Sequence, residues 1–415
     1  MFSYIDKILS PYLFGYKKGY STEQCLTVML EIWKKALDSK GTAGAILTDL
    51  SKAFDCLNHK LLLAKMAAYG FDKSALKYIQ NYLKDRKQRT KVNGSFSLWA
   101  ELKYGVPQGS ILGPLLFTIY INDIFYFINE TKLANYADDN TLYTVKDNII
   151  DLLYTLENET SLILDWFRMN EMKPNDDKCH LLVCNQDHLT VTLGDKNIAN
   201  DDSVELLGVL IDKNLNFTDH VSKLCKKGNQ KLHALARVSK YLDENKLRIV
   251  MKTFIQSQFN YCPLVWMFHN RTLNNKVNKL HERALRIVYK NENLTFQELL
   301  EKDNSVTVHH KNLQRLATEM YKIKHHLSPL PMQELFTEKV HQHDLRNKRS
   351  WETFNVRTVK YGTETIRHMG PKTWDIVPPE IKESKSLLEF KQKSKRWIPN
   401  ECTCRLCNLG FLENH

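Results

Sequence analysis

The spacing of apolar residues alternates between two periods through the first half of the chain. "GTAGAILTDL" is a short continuous apolar run turning polar at Thr48 and Asp49, which predicts a buried strand. "NHKLLLAKMAAYG" switches to helical spacing, with Asn58 placed to cap its start and Gly70 just beyond its end. "DKSALKYIQNYLKDRKQ" predicts a second helix with Leu76, Ile79 and Leu83 on one face, and "RTKVNGSFSLWAEL" a hairpin around Asn93-Gly94. "GVPQGSILGPLLFTIYINDIF" reads as a Gly/Pro-rich loop feeding a buried helix, with Pro114 in its first turn. "NYADDNTLY" is a hairpin tip, and "DNIIDLLYTLENETSLILDWFRMNEM" a long amphipathic helix. "KCHLLVC", "LTVTL" and "VELLGVLI" each read as a strand. From about residue 218 the pattern is helical, and from about 300 it is mixed. Strands interleaved with helices, then helices alone, predict an α+β core carrying a helical appendage.

Charge changes the picture. The 415 residues carry a net +12, and residues 220–290 alone hold fifteen Lys or Arg against Asp243, Glu244 and Glu282. The remainder is formally neutral, so the excess sits in one block. A basic block on a neutral body fits a polyanion partner, nucleic acid being the commonest, or a solvated helical surface. Nine cysteines scattered singly, except for the last three, fit a reducing compartment rather than a disulfide framework. The N-terminus has no signal-peptide pattern and no stretch reaches membrane-spanning length, which predicts an intracellular protein without a membrane partner.

Asp138 and Asp139 are adjacent acids at a hairpin tip. An ordinary Asp-rich turn would hold them, and so would a turn that binds a divalent cation. Two Mg²⁺ ions about 3.5–4 Å apart stabilise the attacking and leaving oxygens of a phosphoryl displacement. A third carboxylate from another strand would complete such a site, and Asp49 at the end of "AILTDL" is the candidate. A metal-dependent nuclease also uses clustered acids, but it gives no reason for "GVPQGS" or Phe54.

In order, "LTDLSKAFDCLNHKLL", "GVPQGSILGPLLFTIYINDI" and "YADD" resemble palm motifs A, B and C of reverse transcriptases, particularly those of LINE-type (non-LTR, Jockey and CR1-like) retrotransposons. The resemblance begins at "LFGYKKGYST", continues through "WFRMNEMKPNDDKCHLL" and "VELLGVLID", and covers about residues 12–290. It implies a right-hand polymerase palm and an RNA-directed DNA polymerase that adds dNTPs to a DNA primer on an RNA template. By the resemblance Asp49, Asp138 and Asp139 are the acids that hold two Mg²⁺, and Leu50 offers a backbone carbonyl nearby. Phe54 takes the place of the bulky side chain beneath the incoming sugar, where it would exclude a 2′-OH; read alone it is a core residue. Gln108 and Gly109 correspond to residues that pack on nucleotide and template base, Tyr136 to one near the primer terminus, and Lys178 to a proton donor for pyrophosphate. Lys17 stands where the family often has Arg, keeping the charge without the bidentate fork.

The same resemblance suggests a residual fingers segment over 1–43, a palm over 44–217 with inserted fingers elements at about 60–100, a basic helical thumb over 218–300 and a C-terminal extension over 301–415. In the thumb, Lys276, Lys279, Arg283 and Arg286 recur at i, i+3, i+7 and i+10, a cationic stripe able to follow a phosphate backbone. Tyr261 and Trp266 would stack on bases or fill the core. "ECTCRLC" supplies Cys402, Cys404 and Cys407, either a thiol-rich tail without metal or the start of a structural Zn²⁺ site whose fourth ligand would come from Glu401, His415, another segment or a partner. Whole proteins of this kind carry an endonuclease and a further fingers block upstream of the segment where this sequence starts. A chain lacking those positioning groups would be either a working polymerase or an impaired fragment that only binds nucleic acid. The expected location is the cytoplasm and nucleus, as for a retroelement ribonucleoprotein.

Overall fold

A computed structural model describes residues 2–175, 178–291, 293–339 and 351–407. The chain forms two compact units: residues 1–21 with 41–201, and residues 22–40 with 202–415.

The first unit is built on a four-stranded antiparallel sheet in the order His180–Val183, Thr42–Thr48, Asp139–Lys146, Lys132–Tyr136. Thr42–Thr48 is a central strand, and Ala43 through Thr48 are all buried, which is why it reads as a continuous apolar run rather than an alternating one. Its partner in the sheet bears the acidic turn, and the register Thr42↔Lys146 to Thr48↔Asn140 fixes where the two strands end together.

The Ile149–Met169 helix covers the sheet. Asn148 caps its start by accepting from the Asp151 amide. Leu152, Leu156, Ile163, Trp166 and Phe167 are buried in the core. Each such side chain contributes roughly 1.5–3 kcal/mol on full burial, against about 1 kcal/mol for a cap. Packing therefore dominates the stability of this helix. Glu159, on the same helix, accepts from the amides of Asn129 (2.9 Å), Glu130 (2.8 Å) and Thr131 (2.8 Å) and from the Thr131 hydroxyl, so it pins the loop that enters Lys132–Tyr136.

The helices at His59–Ala68, Lys73–Leu83 and Leu112–Ile121 lie where the sequence predicts them, with Asn58 accepting from Lys60 and Leu61 at the cap. The short strands Lys91–Val92 and Ser95–Phe96 pair around Asn93 (φ 47°) and Gly94 (φ 87°).

The second unit is mainly helical. Its Thr22–Asp38 helix carries Glu31, which accepts from the first amides of the Ile366–Asp375 helix, Ile366 (2.9 Å) and Arg367 (3.0 Å). Arg271–Tyr289 packs beside Thr218–Val238 through Val277, Leu280 and Ala284. "VELLGVLI" departs from the single strand its composition predicts. It folds as a hairpin, Ser203–Leu206 with Val209–Asp212, turning at Leu207 (φ 47°) and Gly208 (φ 76°). The Tyr261 hydroxyl holds that turn by donating to the Leu207 carbonyl at 2.6 Å, and its ring lies over Gly208. In the first unit, a strand over Lys196–Ala199 also forms, pairing with Thr190–Leu193, where the polar "KNIA" gave no apolar signal. The segment after residue 243 is helical only in pieces: Glu244–Val250, a wide π turn over Met251–Ile255, a 3₁₀ turn over Gln256–Asn260, and Pro263–Trp266. Among the described residues no helix is long and apolar enough to cross a membrane.

Candidate active site

The acidic turn is braced from beneath. Tyr136↔Asp139 is the last strand pair, leaving Ala137, at φ 59°, and Asp138 as the turn itself. Asn135 and Asn140, each 1% exposed, face one another under it. The Asn135 side-chain amide donates to the Asn140 side-chain oxygen (2.9 Å) and the Ala137 carbonyl (3.0 Å), and the Asn140 amide donates to the Asp138 carbonyl (2.9 Å). A fully satisfied polar pair inside a dry strand end fixes one turn geometry. Neither asparagine was singled out from sequence, although the near-symmetry of "NYADDN" is the signal.

A second brace comes from the N-terminal stretch. The Phe14 amide donates to the Asn135 carbonyl at 2.8 Å, and Leu13 bridges Asn135 in parallel. Gly15 then passes so close that a Cβ there would sit 2.4 Å from the Ala137 nitrogen, so only glycine fits.

Asp49 reaches the same place from the central strand. Thr48 lies opposite Asn140, and the antiparallel register continued by one residue sets Asp49 opposite Asp139. The Asp49 carbonyl accepts from the Asn175 amide at 2.8 Å. Its carboxylate meets the Lys178 ammonium, Nζ to Oδ2, at 3.0 Å. Asp139 feels this crowding: its carboxyl is held above the usual carboxylate range by partial desolvation, then by the charges of Asp138 and Asp49. Because Asp139 is open to solvent at the strand's start, the two neighbouring charges are the more durable cause. Three carboxylates from two strands, one of them resisting ionisation, are a donor set suited to a hard divalent cation.

The surrounding residues form a partial shell. Phe54 lies in a 3₁₀ turn, half-buried, stacked on Phe117 (4.5 Å between centroids) and met edge-on by Tyr16 (5.8 Å). Its backbone carbonyl accepts from the Val106 amide at 3.1 Å, which ties the "GVPQGS" loop to the segment after Asp49. In that loop Gln108 donates to Asp55 at 3.2 Å, and Gly109 has φ +81°. Tyr16, absent from the sequence-based expectations, stands beside the acids. Its hydroxyl is pushed up first by burial, then by Asp138 and Tyr136. Lys17, by contrast, gives its ammonium to the Ser10 carbonyl (3.2 Å) and the Tyr20 ring (4.4 Å), and burial lowers its pKa. Leu50 is buried opposite Pro174, which has no amide hydrogen to offer the Leu50 carbonyl.

In the second unit, Lys276, Lys279 and Arg283 are exposed along the Arg271–Tyr289 helix, Arg283 bonding Asn229 at 3.3 Å. Arg286 is half-buried against Glu282 at 2.6 Å. Trp266 is a core residue, wholly buried with its indole donating to the Tyr261 carbonyl at 3.0 Å, so it offers no face to a base. Cys402 and Cys404 are buried in the tail, and Cys407 is half-buried beside them. Glu401 is exposed; His415 lies outside the described residues.

A family model described as "Reverse transcriptase (RNA-dependent DNA polymerase)" matches residues 2–211, about half of the sequence. The chain belongs to the reverse transcriptase family, and its antiparallel sheet backed by helices is an α+β palm of that family. Among relatives, a probable RNA-directed DNA polymerase from transposon BS of Drosophila melanogaster is 25% identical over 297 residues, covering 68% of this chain and 33% of its own length. The RNA-directed DNA polymerase from mobile element jockey of Drosophila funebris is 25% identical, with 68% and 32% covered. The chain thus spans about a third of the length of the curated relatives it matches. A solved telomerase from Candida tropicalis, in complex with a fragment of telomeric RNA, superposes with a TM-score of 0.38 at 13% identity, covering 70% of this chain and 54% of that one.

Proposed function

We propose that this chain is the polymerase portion of a LINE-type retroelement protein, adding dNTPs to a primer 3′-OH on an RNA template. One observation carries the reading: Thr48 pairs with Asn140 at the end of the two strands, so the next residues, Asp49 and Asp139, come close enough to act on each other, with Asp138 in the adjoining turn. Asp49, Asp138 and Asp139 would hold two Mg²⁺ ions. When bound, such ions neutralise charge on the attacking and leaving oxygens of phosphoryl transfer.

The chain's own groups account for the remainder. The asparagine brace and the Gly15 contact hold the carboxylates in place, so little reorganisation is needed at reaction. Phe54, backed by Phe117, presents an aromatic face where a 2′-OH would have to fit. Gln108 and Gly109 line the approach to template base and nucleotide, and Tyr136 the primer end. Lys178, paired with Asp49 at 3.0 Å, would be the group that donates a proton to pyrophosphate. Residues 218–300 act as the thumb, with the Lys276, Lys279, Arg283 and Arg286 stripe along the duplex backbone.

The test is primer extension on poly(rA)/oligo(dT) with Mg²⁺. Extension by the wild type that is abolished in Asp138→Asn supports the proposal. Template binding without extension by the wild type would show a protein that only binds nucleic acid.

A further inference from the structure

Outside the palm, side chains far apart in sequence converge on the C-terminal tail. His309, the second residue of the Val308–Lys324 helix, meets Cys404 and Cys407, and their ligand atoms all lie within 4.8 Å of one another. The His309 Nε2 is 3.2 Å from the Cys404 sulfur. Cys402 is within side-chain hydrogen-bonding reach of both Cys404 and Cys407. Three ligands of the right type thus meet, two thiols and one imidazole, and a third thiol, that of Cys402, lies beside the other two.

We propose that His309, Cys402, Cys404 and Cys407 bind one Zn²⁺ as a closed, structural Cys₃His site that fastens the tail to the Val308–Lys324 helix. Zn–S bonds of about 2.3 Å and a Zn–N bond of about 2.0–2.1 Å in a tetrahedron place the ligand atoms roughly 3.5–3.8 Å apart. The ligand atoms of His309, Cys404 and Cys407, all within 4.8 Å of one another, are close to that geometry, and Cys402 would complete it. Three thiolates, one neutral imidazole and Zn²⁺ sum to a single negative charge, and the three thiol protons go to solvent on binding.

Two further observations point the same way. His309 is 4% exposed, and among the described residues its Nδ1 has no hydrogen-bond partner and its Nε2 is bonded to the Cys404 sulfur. A buried Nε2 whose neighbour is a thiol sulfur has only a weak hydrogen-bond partner, and a metal bond there would be a far better one. In addition, the Cys407 amide donates to the Cys404 sulfur at 3.4 Å, the amide-to-sulfur support that steadies a metal-bound thiolate. The sites that hold Mg²⁺ and Zn²⁺ would differ in chemistry as hardness dictates: carboxylates in the palm, thiolates and imidazole here.

The experiment uses the full chain, purified under reducing conditions, and is independent of polymerase activity. Metal analysis is expected to find one zinc per chain, falling to less than a tenth of that in Cys404→Ser and in His309→Ala, and unchanged in Cys179→Ser. Exchange of zinc for Co²⁺ in the wild type is expected to give thiolate-to-cobalt charge transfer and intense tetrahedral d–d absorption, a readout that needs no variant to fold. Wild-type protein without zinc and without that absorption on Co²⁺ addition would overturn the proposal. So would full zinc retention in both ligand variants, or a disulfide among the three cysteines in protein that zinc does not alter.

Discussion

The Lys178 ammonium sits 3.0 Å from the Asp49 carboxylate, 129 residues away in sequence, on the open side of the palm sheet. A lysine there neutralises part of the repulsion among the acids. Its exposure leaves it mobile, which suits a group that must exchange partners. Lys178→Ala is expected to lower kcat about 10²-fold with little change in KM for dNTP. The basic limb of the pH–rate profile should flatten. A profile identical in shape to wild type would remove Lys178 as proton donor.

Asp49→Asn and Asp138→Asn are each expected to reduce primer extension by about three orders of magnitude while leaving template affinity intact. Asp139→Asn should do the same to extension and have an opposite effect on metal-free stability. The raised carboxyl of Asp139 means that the folded state binds a proton the unfolded state has already released. Stability is therefore lost as pH rises from the ordinary carboxylate range through the raised value. In the amide variant this loss disappears. Melting at pH 7 without Mg²⁺ is expected to rise slightly, solvent screening keeping the gain small, and the gain should vanish in acid.

Phe54→Ala is expected to reduce discrimination against ribonucleotides by about 10–10²-fold, read as the ratio of kcat/KM for dNTP and rNTP. The loss of stacking on Phe117 adds a destabilisation of about 0.5–1.5 kcal/mol beyond the lost burial, which thermal melting measures separately. Unchanged discrimination in a folded variant would make Phe54 a core residue and nothing more.

Glu159→Gln keeps the shape of the loop anchor and removes its charge. Burial by itself would raise this carboxyl, but the Thr131 hydroxyl and the amides of Glu130, Asn129 and Thr131 outweigh burial and hold it below the usual range. A depressed carboxyl stabilises the fold above its unfolded value, and that contribution fades as pH falls through the folded one. The variant is expected to lose about 1–3 kcal/mol near neutrality and to converge on wild type in acid, as urea titrations at several pH values would reveal.

Neutralising Lys276, Lys279 and Arg283 together is expected to weaken binding of RNA·DNA duplex with no sequence preference. The slope of log K against log salt should fall by about one per residue removed. A weakened affinity with an unchanged slope would place the stripe away from phosphate.

The palm was legible because its elements are periodic and locally capped: the Thr42–Thr48 run, the Asn58 and Asn148 caps, the Asn93-Gly94 turn. Asp49 and the Asp138-Asp139 pair are proposed from the order of the motifs, and the register that ends at Thr48↔Asn140 leaves them near one another. What stayed hidden depends on partners distant in sequence. The turn inside "VELLGVLI" is set by the Tyr261 hydroxyl, 54 residues on, and no local signal competes with a continuous apolar run. His309 is one histidine of a helix start until the fold lays the tail against it. Tyr16 carries no charge or motif to mark it in the sequence, whereas the charge of neighbouring Lys17 is directed at Ser10 and Tyr20.

The missing side chain at Gly15 has a mechanical meaning. With its backbone pressed against Ala137 and the Phe14 amide hooked to Asn135, the first stretch of the chain and the acid-bearing turn travel together. Any side chain at position 15 would therefore wedge the two apart and displace the turn that carries Asp138.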